Sequence, residues 1–143
     1  MRTPNEVTIL IIDDDMIDVE SIKRAIKKLR ISNPVIVACD GIEALQVLRG
    51  QNGHERLEEP YLIILDINMP RMNGLEFLSV LRDDRELNRA VIFVHTTSDN
   101  SRDQSAAYDK NIAGYILKTD LAGSLDDALR MLERYWRIIE FPD

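Results

Sequence analysis

Five short apolar runs recur along the chain, and after each comes a stretch with helical spacing. Val7–Ile12 (VTILII), Val35–Ala38, Tyr61–Leu65 (YLIIL), Val91–Val94 and Ala113–Leu117 are rich in β-branched residues and predict strands. Between Met16 and Arg30, Val19, Ile22, Ile26 and Leu29 recur at helical intervals. Ala44, Leu45 and Leu48 share one face between Gly41 and Arg49, and Leu75, Leu78 and Leu81 do so after Gly74. Ser101 to Lys110 predicts a poorly apolar helix. Gly123 to Arg137 predicts a final one, with Leu125, Leu129, Leu132 and Trp136 on its apolar stripe. Strands alternating with helices form βαβ units, and hence a parallel sheet. Runs that are apolar throughout, rather than at every second residue, fit a sheet covered on both faces. The expected architecture is α/β, doubly wound: five parallel strands with helices on both faces.

Composition narrows the function classes. The 143 residues fit one domain, with a core from about residue 7 to 136 and an extension over residues 137–143. Twenty-five acidic against 18 basic residues give a net charge of −7, which argues against a nucleic-acid-binding surface. A lone cysteine, Cys39, excludes a disulfide framework. Two histidines, His54 and His95, argue against a histidine-built zinc site. No apolar run approaches the roughly 20 residues of a membrane span. Met1 to Glu6 lacks a signal-peptide core, so a cytoplasmic protein is expected. Cys39, on the second strand, reads as a small buried hydrophobe.

In parallel sheets, function gathers beyond the carboxyl ends of the strands. There the first run ends in Asp13-Asp14-Asp15, the third in Asp66, the fourth in Thr96 and the fifth in Lys118. Asp15 reads as the cap of the first helix. Asp13, Asp14 and Asp66 would repel one another: two charges about 5 Å apart at an effective dielectric near 20 cost about 3 kcal/mol. Such a set wants a cation. All-oxygen ligands in an open crevice favour a hard ion, and Mg²⁺ suits a site that also holds phosphate. Lys118 is a point charge for a phosphoryl oxygen, and Thr96 is a donor for another. Asp66 is then the nucleophile, since carboxylates form acyl phosphates.

The segments ILIIDDD, LIILDINMPRMNGLEFL, VIFVHTTSD and GYILK resemble the receiver domain of two-component response regulators, the CheY-like family, over Val7 to Trp136. The resemblance implies a flavodoxin-like (βα)5 fold. It implies Asp66 as phosphoacceptor, with Asp13, Asp14, Asp66 and the backbone carbonyl of Asn68 around Mg²⁺. Thr96 falls on the switch hydroxyl, Lys118 on the phosphate-binding lysine and Tyr115 on the switch aromatic. VACDGIEALQVLRG, TTSD and YWRIIEFPD are similar to the single-domain regulators that partner bacterial phytochromes. The implied protein is a stand-alone phosphoacceptor switch rather than an enzyme with an external substrate. A sensor histidine kinase, a bacteriophytochrome in this reading, supplies the phosphoryl group, and a downstream protein reads the result. Two departures stand out. Thr119 follows Lys118 where the family keeps a proline, so a trans peptide is expected. His95 precedes Thr96 where an aliphatic residue is usual, and reads as a polar side chain packed near the strand end.

Two rival readings share the residues. A haloacid-dehalogenase-type phosphatase needs a second acid two residues after its nucleophile, where this chain has Asn68. A pseudo-receiver, binding without phosphorylation, has no need of the full set Asp13, Asp14, Asp66, Thr96 and Lys118. The basic stripe Lys23, Arg24, Lys27, Lys28 and Arg30 reads as a solvated face that can steer an acidic partner. Beyond Arg137, the apolar residues Ile138, Ile139 and Phe141 point to a homodimer through the last two helices, the fifth strand and this tail.

Overall fold

Side-chain alternation in a strand sends successive residues to opposite faces, so a run that is apolar at every position needs cover on both sides. β1 (Thr8–Ile12) and β3 (Tyr61–Asp66) meet that condition, being buried at every residue. They lie side by side at the centre of a five-stranded sheet, with β2 (Val35–Ala38) at one edge and β4 (Val91–Thr96) then β5 (Gly114–Leu117) on the other side. All four pairings are parallel. The computed structural model describes residues 7–28, 31, 33–67, 72–96, 108–117, 123–127 and 130. The expected parallel α/β sheet and its five strands are therefore observed.

Each sheet face has its own core. Leu10, Ile12, Ile63, Leu65, Ile92 and Val94 face α2 (Gly41–Arg49) and α3 (Gly74–Asp83), meeting Ala44, Leu48, Phe77, Leu78 and Leu81. Ile9, Ile11, Leu62, Ile64, Phe93 and Ile116 face the other way, onto Val19, Ile22, Ala25 and Ile26 of α1 (Met16–Lys28). Leu125, in a helical turn over residues 123–127, joins this second cluster, as its spacing predicts. Leu29, Leu129, Leu132 and Trp136, and residues 101–107 of the helix expected over Ser101 to Lys110, lie outside the described residues.

Helix starts follow the cap chemistry of the sequence. Asp15 Oδ1 accepts the Ile17 N–H at 2.8 Å, as expected of a cap for α1. Asp40 accepts the Glu43 N–H at 2.8 Å, and Asn73 accepts the Glu76 N–H at 2.9 Å. α2 ends on Gly50 at φ 69°, in the left-handed region that glycine enters without strain. Two expectations need correcting. Cys39 is exposed, because β2 ends at Ala38 and the chain turns there into the α2 cap. On α3, Leu75 is only partly buried, whereas Phe77 is fully buried. No helix among the described residues is long and apolar enough to cross a membrane.

Candidate functional site

The order β2-β1-β3-β4-β5 reverses direction between β1 and β3, which opens a crevice at their carboxyl ends. Both flanks of that crevice are acidic. Ile12 pairs with Leu65, so the next residues, Asp13 and Asp66, stand side by side at the same level. They are 2% and 4% exposed, unusual values for carboxylates. One oxygen of Asp13 is fixed from behind: Oδ1 accepts the Asp15 N–H at 2.9 Å.

The third carboxylate close to them is Asp18. One oxygen from each of Asp13, Asp18 and Asp66 lies within 4.8 Å of the others. Asp14, placed by its strand-end position in the acidic set, is exposed and falls outside this group. Asp18 was not legible as a site residue because an acid in the first turn of a helix is usual on dipole grounds alone. Its signal lay in geometry: side chains tilt back toward a helix N-terminus, and α1 begins only three residues after Asp13. Three carboxylates with oxygen donors alone, gathered this closely, fit a hard divalent cation.

The remaining predicted residues meet the same edge from the other side. Asp66 pairs with His95, and Thr96, the last residue of β4, pairs with Leu117 at the end of β5. Tyr115 pairs with Val94, one step further back. The backbone thus brings Thr96 to the crevice, while Asn68 and Lys118 lie outside the described residues, as does the Lys118–Thr119 peptide. His95 is buried, not merely packed near a strand end, at 1% exposure. Its Nδ1 lies 3.9 Å from Oδ2 of Asp13.

One glycine keeps the crevice in shape. A Cβ on Gly74 would sit 2.6 Å from the Ile67 Cα and 2.8 Å from the Asp66 carbonyl oxygen, both backbone atoms. The Gly74 N–H donates to the Ile67 carbonyl at 2.8 Å. The start of α3 is thus pressed against the segment that carries Asp66, closer than any side chain allows.

Comparison with known proteins gives consistent results. The family described as "Response regulator receiver domain" matches residues 9–130. The response regulator Rcp1 of Synechocystis sp. is 30% identical over 128 residues, which cover 90% of this chain and 87% of Rcp1. A solved structure of the Mn²⁺-bound form of response regulator Rcp1 aligns with TM-score 0.74 at 29% identity, over 91% of this chain and 94% of that one. A two-component response regulator from Legionella pneumophila aligns with TM-score 0.81 at 36% identity, over 90% of this chain and 99% of that one. The phosphorylated cyanobacterial phytochrome response regulator RcpA aligns with TM-score 0.76 at 29% identity, over 92% and 94%.

Proposed function

The chain belongs to the response regulator receiver family, and from that premise we propose how its acidic crevice works. It is a receiver-domain response regulator similar to Rcp1 and RcpA, and receiver domains take their phosphoryl group from sensor kinases. In the proposed reaction Asp66 is the acceptor. The observation that carries this is its position: Asp66 ends β3 at the reversal of strand order, with oxygens of Asp13 and Asp18 close by.

A carboxylate oxygen of Asp66 attacks phosphorus in line on the kinase's phosphohistidine. The P–O bond forms as the P–N bond breaks, and the departing nitrogen keeps the electron pair. Asp13, Asp14, Asp66 and the Asn68 carbonyl would hold Mg²⁺ in this reading, and Asp18, whose oxygen lies close to those of Asp13 and Asp66, could join them. When bound, Mg²⁺ neutralises charge on the transferred oxygens, the main catalytic device in phosphoryl transfer. Lys118 takes one phosphoryl oxygen and Thr96 donates to another. The inward pull on Thr96 frees room for Tyr115 to turn inward, and a partner protein reads the altered face.

The finer assignments rest on likeness. The kinase we propose is a bacteriophytochrome, supported by the likeness to the phytochrome response regulator RcpA. The working compartment is the cytoplasm, and the assembly a homodimer in which the apolar tail residues Ile138, Ile139 and Phe141 take part. The protein assists its own phosphorylation and dephosphorylation and turns over no external substrate.

Incubation with acetyl phosphate and Mg²⁺, read by intact mass, tests the central claim. The wild-type chain should gain one phosphoryl group and Asp66→Asn none, because the amide matches the shape but not the nucleophile. A stoichiometric phosphoryl group on Asp66→Asn would move the acceptor elsewhere.

A further inference from the structure

His95 stands where this fold has least use for a polar ring. Alternation along β4 turns it to the face of Phe93, among Ile11, Ile64 and Ile116. Among the described residues neither ring nitrogen has a hydrogen-bond partner. A buried polar group left in that state costs the fold stability. On stability grounds an aliphatic side chain would serve better. Yet the ring is not remote from polar chemistry. Its Nδ1 is 3.9 Å from Asp13 Oδ2, and the two side chains are 2% and 1% exposed. The other oxygen of Asp13 already holds a backbone N–H. The carboxylate is therefore flanked by an amide at Oδ1 and an imidazole at Oδ2, with Asp66 and Asp18 close by.

We propose that His95 is a positioning residue for this site, its Nδ1–H steadying the Asp13 carboxylate in the orientation that takes a divalent cation. The inference rests on the reading of the crevice as a cation-assisted phosphoacceptor site. An imidazole in either protonation state carries at least one N–H, and the contact with Asp13 selects the tautomer with the proton on Nδ1. Closing the gap by about 1 Å turns the contact into a charge-assisted hydrogen bond. Groups behind a metal ligand that fix its orientation are typically worth 10–100-fold in affinity. The ring thus serves cation binding and not the fold. Leucine would fill the space but offer no donor, whereas asparagine places an amide N–H near the position of Nδ1.

The test compares the full-length wild type with His95→Leu and His95→Asn. It combines Mg²⁺ and Mn²⁺ titrations, thermal midpoints without cation, and the imidazole ¹⁵N spectrum of the wild type. The wild type should bind Mg²⁺ and show a slowly exchanging Nδ1–H once it is added. His95→Leu should bind about tenfold or more weakly, with a cation-free midpoint at or above wild type. His95→Asn should stay within about threefold of wild-type affinity. If His95→Leu does not fold, His95→Asn and the wild-type spectrum decide. Wild-type affinity in His95→Leu overturns the inference; so does a His95→Asn as weak as His95→Leu, or an Nδ1 without a proton in the Mg²⁺-bound wild type. A wild type that binds no Mg²⁺ and takes no phosphoryl group from acetyl phosphate overturns the reading of the site as well. A wild type that does both beside an indifferent His95→Leu overturns the role of His95 alone.

Discussion

Asp84 shows how one carboxylate writes a pH dependence into the scaffold. It caps the end of α3, and its Oδ1 accepts the Glu86 N–H at 2.9 Å. That backbone hydrogen bond, foremost, and the Arg49 guanidinium beside it hold its carboxyl below the ordinary value, against the opposing effect of burial. A group depressed on folding adds stability that is present above its unfolded pKa, about 3.9, and lost as pH falls through the lower folded value. Asp84→Asn keeps the acceptor but removes the charge. It should lower the urea midpoint at pH 7, and the difference from wild type should shrink below about pH 4. A difference that is the same at pH 7 and pH 3 would reject this role. Asp66 is the opposite kind of residue: it is buried beside Asp13 and Asp18, and strand register rather than a local hydrogen bond sets Asp13 next to it.

At the scale of elements, α3 is fastened at both ends. At its start Gly74 touches the backbone around Asp66. Gly74→Ala would force a Cβ into that contact, and overpacking of this kind costs about 1–3 kcal/mol. Denaturant unfolding should show that loss, and phosphorylation by acetyl phosphate should slow, because the displaced atoms belong to the segment that carries Asp66, the proposed acceptor. At its other end Arg82 is a clamp. Its guanidinium donates to the carbonyls of Lys110 at 2.7 Å, Asn88 and Ala90 at 2.9 Å, and Asn111 at 3.0 Å. Burial lowers its pKa. One planar fork thus ties α3 to the segments leading into β4 and β5. Lysine keeps the charge but not the fork, so Arg82→Lys should lose about 2–3 kcal/mol in denaturant unfolding. A loss under about 0.5 kcal/mol would mean that the carbonyls find water equally well.

For the whole molecule the open matter is association. If the apolar tail completes a two-fold interface, light scattering should give twice the 16.4 kDa chain mass at high micromolar concentration. A chain ending at Arg137 should shift toward monomer, and phosphorylation should tighten the full-length dimer. A full-length monomer with and without the phosphoryl group would reject the interface, and an undiminished dimer after truncation would remove the tail from it. The sequence alone determined the architecture and the poles of the site. Apolar runs that alternate with helical stretches build a parallel sheet, and acids that end such runs lie at its carboxyl edge. Local periodicity carries that much because it depends on neighbours in the chain. It does not say which side chains from different elements converge. Asp18, in the first turn of α1, enters the acidic group, whereas Asp14, in the turn before it, stays exposed. Cys39 is exposed because β2 stops at Ala38, one residue short of it, and the chain turns there into the α2 cap. His95 faces Asp13 only because β4 lies beside β3 with Asp66 opposite it. Such convergences are set by strand register and crossover direction, which exist only once the sheet has formed.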